Sequence, residues 1–286
     1  MKLKGKLLLI GGGENKGEQD IEEFKTTGVL ERLLKEATQG RQSRIEIVAT
    51  ASSVPREMEQ AYLEAFEKLG ATDVGLLGLT KRTQASAQLF LDRLDAADVL
   101  FFTGGDQLRL TSILGGTPFF DALKERLEHD ASFMYAGTSA GAAAASDCMV
   151  CEGDSRNALK KGEIKTAAGF GFVENIVFDT HFIKRGRIGR LLQIVASNPM
   201  VLGVGLEENT ALLVQGVTME AVGPGSAIIA DGRMIASTNL AEIADGEPIS
   251  IEKVLLHAMS RGDAYNLEAH KLEILFECQQ ARRARS

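Results

Sequence analysis

From residue 6 to residue 139 the chain repeats one unit: a short apolar run, then a longer amphipathic stretch, with turn residues at each change. "KLLLIGG", "RIEIVATAS", "DVGLLGL", "DVLFFTGGD" and "SFMYAGTS" read as buried strands. Between them, "IEEFKTTGVLERLLKEA", with apolar residues three and four apart, "PREMEQAYLEAFEKLGA", "SAQLFLDRLDAA" and "PFFDALKERLEHD" read as helices. The second of these has proline near its start and glycine after its end. Strands alternating with helices predict βαβ units, a parallel sheet and right-handed crossovers. Few other folds accommodate such a chain.

The second half changes character. "VLGVGLEEN", "TALLVQG", "TMEAVG", "SAIIADGRMIAS" and "LEILFE" are short apolar runs joined by turns, with a hairpin signal at Asp231-Gly232. They predict antiparallel strands that extend the same sheet, and "SIEKVLLHAMSRGD" predicts a late helix. No linker, low-complexity tract or internal repeat of the sequence itself interrupts the 286 residues. The expectation is a single mixed α/β domain over residues 1–286: a mostly parallel central sheet flanked by helices, with antiparallel C-terminal strands.

Composition excludes several function classes. A formal net charge of -7 leaves no electrostatic footprint for nucleic acid, and the basic "ARRARS" reads as a frayed tail. No apolar stretch approaches the ~20 residues of a membrane helix. Leu7 to Ile10 is too short for a signal-peptide core. Three cysteines, Cys148, Cys151 and Cys278, are sparse and odd in number, as expected in a reducing, cytoplasmic compartment. Cys148 and Cys151 form a C-x-x-C without a second ligand pair, so two ordinary thiols on the helix after "GTS" are expected, not a zinc or redox site.

The chemistry gathers at strand ends. "IGGGENKGEQD" fails the dinucleotide pattern because Lys16 stands where glycine is required, so it reads as a backbone bend over the sheet's carboxyl edge. "GTSAG", Gly137 to Gly141, fits G-x-S-x-G with a strand before it and a helix after it, the context of a nucleophile elbow. Ser139 is then the candidate nucleophile, and the N–H of Ala140 is one oxyanion donor. "FFTGGDQLRL" ends another strand and offers a second donor at a glycine near Gly105, with Asp106 and Gln107 opening the next helix. A serine needs a base. Of four histidines, His129, His257 and His270 are poorly placed, whereas His181 in "VFDTHFIKRGRIGR" follows an apolar run. "GVGLEENTALLV" supplies Glu207 and Glu208, of which at most one can face His181 in extended chain. The order Ser, His, Glu differs from that of the α/β-hydrolases. Gly186 predicts a turn in which Arg185 and Arg187 converge with Arg190 from the helix beyond, as an acidic substrate requires.

Taken in order, "FFTGGDQLRL", "AGTSAGAAAAS", "DTHFIKRGRIGRL" and "GVGLEENTALLV" resemble the cyanophycinases, serine exopeptidases of the aspartyl-dipeptidase-like clan. The similarity runs from the first strand to the last. The resemblance implies a fold like that of class I glutamine amidotransferases and a cytoplasmic homodimer with no metal or cofactor. It implies cleavage of cyanophycin, an aspartate-backbone polymer with arginine on each side chain, to β-Asp-Arg dipeptides. Ser139, His181 and Glu208 match the family's triad; Gln107, Asp179, Arg185, Arg187 and Arg190 match substrate-binding positions. Thr180 stands where these enzymes often carry glutamine, which removes a longer amide contact. The rival readings are an aspartyl dipeptidase for small Asp-X peptides and a non-catalytic protein binding acidic peptides.

Overall fold

A computed structural model describes residues 3–276; "ARRARS", Cys278 and the last residue of "LEILFE" lie outside the described residues. The N-terminal half is built from β1 (Lys6–Ile10), α1 (Ile21–Thr26), α2 (Val29–Glu36), β2 (Arg44–Val48), α3 (Pro55–Lys68), β3 (Asp73–Leu76), α4 (Gln88–Ala96), β4 (Val99–Phe102), α5 (Gln107–Leu114), α6 (Pro118–His129), β5 (Met134–Thr138) and α7 (Ala140–Ala144). Strands β1 to β5 run parallel in the order β1-β5-β4-β2-β3. Their apolar runs are continuous because both faces are covered. Leu7, Leu9, Leu100, Phe102 and Tyr135 pack with Leu94, Leu110, Leu123 and Leu127 of α4 to α6. Leu8, Ile10, Ile45, Ile47 and Phe101 face the other way, onto Leu30, Leu33, Tyr62 and Phe66 of α2 and α3.

Local chemistry sets the helix limits. Pro55 opens α3; Thr117 caps α6 by accepting from Phe120 N at 3.3 Å, with Pro118 next. The single helical segment expected over Ile21–Ala37 is divided into α1 and α2 at Gly28. Two threonines and a glycine weaken it there, and the end of α1 is so tight that a Cβ on Gly28 would lie 2.8 Å from Phe24 O.

The C-terminal half adds β6 (Cys148–Glu152), β7 (Lys165–Ala168), β8 (Ile176–Thr180), α8 (Ile188–Ser197), β9 (Leu202–Leu206), β10 (Ala211–Gln215), β11 (Thr218–Val222), β12 (Ala227–Asp231), β13 (Ser237–Thr238), β14 (Ile251–Glu252), β15 (Leu255–Met259), β16 (Ala264–Asn266) and β17 (Lys271–Glu273). β10, β11 and β17 extend the main sheet antiparallel beyond β1, as expected, with β16, a strand the sequence did not signal, between β11 and β17. The other strands do not. A separate sheet, ordered β15-β12-β9-β8, stacks on it. Phe178, Val204, Leu206, Ala227 and Ile229 of this second sheet share one core with Leu7 and Phe102 of the first. Its opposite face is covered by Leu191 and Val195 of α8.

Three local expectations are corrected. "SIEKVLLHAMSRGD" forms β14 and β15, not a helix, because Leu255 to Met259 complete a ladder with Asp231 to Ala227. Asp231-Gly232 closes no hairpin: the Asp231 carboxylate accepts from Arg233 N at 2.9 Å, and β12 pairs instead with β9 and β15. Cys148 and Cys151 lie on β6, since α7 is only five residues long; both are free thiols.

Candidate active site

The carboxyl ends of β4, β5 and β1 are neighbours in the main sheet, and those of β8 and β9 are neighbours in the second. The stacking brings the two sets of ends together. Ser139 follows β5 in a turn with φ 51°, a left-handed conformation that L residues avoid at a cost of about 1–3 kcal/mol. Small neighbours are a steric requirement there. A Cβ on Gly137 would lie 2.5 Å from Gly141 C, and one on Gly141 would lie 2.7 Å from Phe102 O. The turn is pinned from both sides: Ser139 N donates to Ile10 O at 2.9 Å, and buried Tyr135 Oη donates to Gly141 O at 2.6 Å.

His181 follows β8, also in the left-handed region at φ 51°, and its N–H donates to Gly11 O at 2.8 Å. Its Nε2 lies 3.0 Å from Ser139 Oγ and its Nδ1 lies 2.7 Å from Glu208 Oε1. This is a continuous chain from hydroxyl to imidazole to carboxylate, the geometry in which a neutral histidine can take a serine proton while a carboxylate orients the ring. Burial works to raise the Glu208 carboxyl, but hydrogen bonds from Lys184 Nζ and His181 together hold it below its ordinary value. Glu207 points elsewhere, accepting from the backbone N–H groups of Ile183 and Lys184. The loop after β1 bends over this pair as expected. Gly12 (φ 93°) and Gly13 (φ 58°) press against it so closely that added Cβ atoms would come within 2.6 Å of His181 Nε2 and 2.8 Å of Glu208 Cδ.

Ala140 opens α7, where the first N–H groups have no intrahelical acceptor. Of the two glycines after β4, Gly104 adjoins the serine: its Cβ direction meets Ser139 Cβ at 3.4 Å. Gly105 backs onto Ala51, and among the described residues neither glycine's N–H has a protein acceptor. Gln107 is turned to β6, donating to Val150 O at 2.8 Å. Two of the three arginines converge, and they do so on Asp179. Arg187 Nη1 donates to Asp179 Oδ1 at 3.0 Å and to Thr180 O at 2.7 Å. Arg190 Nε lies 2.9 Å from Asp179 Oδ2 as an ion pair, off the line of a hydrogen bond. Burial, opposed by the two guanidiniums, leaves the Asp179 carboxyl above its ordinary value. Arg185 stays exposed in the turn before α8 and does not join them. Thr180 is buried, its N–H spent on Asp179 Oδ1.

Residues 7–222 match the sequence profile of peptidase family S51. The chain belongs to peptidase family S51. Curated relatives of this S51 peptidase include the cyanophycinase of Synechococcus elongatus, 34% identical over 274 residues, covering 94% of this chain and 81% of that protein. The cyanophycinase of Geminocystis herdmanii is 30% identical over 272 residues, covering 94% of this chain and 96% of that one. A crystal structure of a peptidase from an acI-B1 actinobacterium shares the fold at TM-score 0.60 and 22% identity, covering 93% of this chain and 98% of that one. The S51 chain thus has the mixed, glutamine-amidotransferase-like α/β fold and is a serine-type peptidase. No described helix is long and apolar enough to cross a membrane.

Sequence reasoning overlooked several residues around the S51 site. Gly12 and Gly13 were visible in "GGG", but their partners lie some 170 and 195 positions away in the chain and emerge only on folding. Lys184 lies in the arginine-rich segment with no sequence signal for its contact with Glu208, and Glu207, one of the two candidate acids, takes a structural role instead. Glu14 carried no local signal at all.

Proposed function

We propose that this S51 peptidase hydrolyses cyanophycin and releases β-Asp-Arg dipeptides through a Ser139–His181–Glu208 triad. The observation that carries the reading is the unbroken contact chain at 3.0 and 2.7 Å from Ser139 Oγ through the imidazole to Glu208 Oε1. The names of the relatives support the substrate. His181 takes the Ser139 proton as Oγ attacks the peptide carbonyl, and Glu208 stabilises the imidazolium. The N–H of Ala140, with that of Gly104 or Gly105, holds the oxyanion. The imidazolium then protonates the leaving amine, and water, deprotonated by His181, releases the acyl group.

Substrate grip is assigned to Gln107, Asp179, Thr180, Arg185, Arg187 and Arg190. Exposed Arg185 is free to meet a substrate carboxylate. Arg187 spends only Nη1 on protein partners among the described residues, so its remaining nitrogens suit the same task. Asp179, itself paired with buried Arg190, holds Arg187 in place. The same reading takes the protein as a cytoplasmic homodimer.

The test is incubation with cyanophycin beside Ser139→Ala, with soluble Asp-Arg dipeptide followed by mass spectrometry. Dipeptide is expected from the wild type, with turnover lowered by roughly 10⁴-fold or more in the variant. Release by both proteins sinks the nucleophile assignment. Release by neither, with cleavage of free Asp-X dipeptides, transfers the protein to the dipeptidase reading.

A further inference from the structure

Six consecutive residues, Ile10 to Asn15, touch every part of the proposed triad. Ile10 O accepts from Ser139 N at 2.9 Å, Gly11 O from His181 N at 2.8 Å, and Gly12 O from Asn209 N, beside Glu208, at 2.9 Å. Asn15 N donates to Asn209 Oδ1 at 3.0 Å. Gly12 packs on the imidazole and Gly13 on the Glu208 carboxylate. Glu14 faces inward, to the nucleophile's side. It is 4% exposed, and its carboxylate accepts from Thr138 Oγ1 at 2.8 Å and from the Tyr62 hydroxyl.

A buried carboxylate is costly unless its lone pairs are satisfied, and here two neutral hydroxyls satisfy it. Lys16 reaches the same region only through the face of the Tyr62 ring, 4.6 Å from its centroid. The partner that gives this arrangement its meaning is Thr138. It directly precedes Ser139, whose left-handed backbone persists only if the surrounding structure over-determines it. The Ser139 N–H bond to Ile10 O fixes one side of the Thr138–Ser139 peptide. The Thr138 hydroxyl bond fixes the residue before Ser139 to the same loop that accepts the backbone N–H groups of His181 and Asn209.

We propose that Glu14 is a positioning residue which, through Thr138, holds the Ser139 turn in register with the His181–Glu208 pair. This rests on the triad reading above. Tyr62 ties the same carboxylate to α3, and its hydroxyl also lies beside the Thr138 side chain.

The experiment is steady-state kinetics of Glu14→Ala, Glu14→Gln, Thr138→Val, Tyr62→Phe and the Glu14→Ala/Thr138→Val double variant, with Ser139→Ala as control. The substrate is whichever of cyanophycin or an Asp-X dipeptide the wild type cleaves, and melting temperatures are recorded alongside. Glu14→Ala is expected to lower kcat about 10- to 100-fold, the scale of an ångström-sized misplacement, with KM within about twofold. Glu14→Gln restores most of kcat, since an amide oxygen still accepts from Thr138 while its NH2 donates to Tyr62. The double variant loses no more than the worse single one, because both changes cut one link. Tyr62→Phe, which leaves the Glu14–Thr138 bond in place, lowers kcat less than Glu14→Ala. The proposal is overturned if folded Glu14→Ala keeps wild-type kcat, if its defect is in KM alone, or if the two losses multiply. Should Glu14→Ala not fold, Thr138→Val decides: wild-type kcat there overturns the proposal equally. Turnover retained by Ser139→Ala is a separate outcome, which removes the triad reading itself.

Discussion

At the scale of single residues, the adjacent pair Glu207 and Glu208 shows how chemistry is divided. They leave β9 together, yet successive side chains in extended backbone diverge. Glu208 meets the imidazole, while Glu207 satisfies two N–H groups in the turn after His181. Glu208→Gln is expected to lower kcat by about 10³- to 10⁴-fold with the fold intact, because an amide cannot stabilise the imidazolium. Glu207→Gln should keep most of the turnover and cost about 1–2 kcal/mol of stability, the scale of weakened charge-assisted hydrogen bonds. Paired kcat and denaturant-midpoint measurements check both; a larger kcat loss at Glu207 would reverse the assignment. The residues alone narrowed the acid to these two, and resemblance selected Glu208. The choice depends on which way the β9 pleat faces when β8 lies beside it.

At the scale of elements, the turn between β5 and α7 depends on absent side chains. A methyl group on Gly141 has no room beside Phe102 O, so α7 must move away from β4. Gly141→Ala should therefore cost about 1–3 kcal/mol, the usual penalty of overpacking a tight core, and lower turnover by displacing the Ala140 N–H. Chemical denaturation beside kcat tests this, and unchanged values for both would show that the contact yields. The G-x-S-x-G pattern was legible because every requirement is local: strand, turn, small neighbours. The segment from Ser250 to Asp263 was misread for the opposite reason. Ile251, Val254, Leu255 and Ala258 fall three and four apart, as in a helix, but β12 offers Leu255 and Ala258 a ladder, and β13 offers one to Ile251, that no periodicity reveals.

At the scale of the whole molecule, the balance of shifted groups sets the response to acid. Burial works to raise Glu36, Asp130 and Asp231, yet hydrogen bonds and cations hold all three below their ordinary values: Lys6 and Arg32 for Glu36, Ser132 and Arg126 for Asp130, Arg233 for Asp231. Glu208 is lowered likewise. Each contributes stability that is present above the unfolded carboxylate value and is lost as pH falls through the lower folded value. His270, lowered by burial and then by Arg233, acts in the same direction, favouring the fold while neutral. Glu59 and Asp179, raised by burial, oppose the trend. The melting temperature should thus be flat between about pH 7 and 8, decline slightly below about 6.5 and fall steeply below about 4. A scan of melting temperature against pH checks this; a rise between about pH 5 and 3 would contradict it.

Sequence by itself determined what depends on neighbours in the chain: the βαβ alternation, the glycine-lined serine turn, the bend after β1, and the break at Gly186 before α8. Each follows from periodicity or from steric demands within a few residues. Tertiary structure alone decided that β8, β9, β12 and β15 leave the main sheet and stack on it, since strand partners are chosen by burial between distant segments. That stacking carries His181 and Glu208 to Ser139. It also sends Arg187 and Arg190 to Asp179 while Arg185 stays in solvent, because a buried carboxylate must find its countercharges wherever the fold places them.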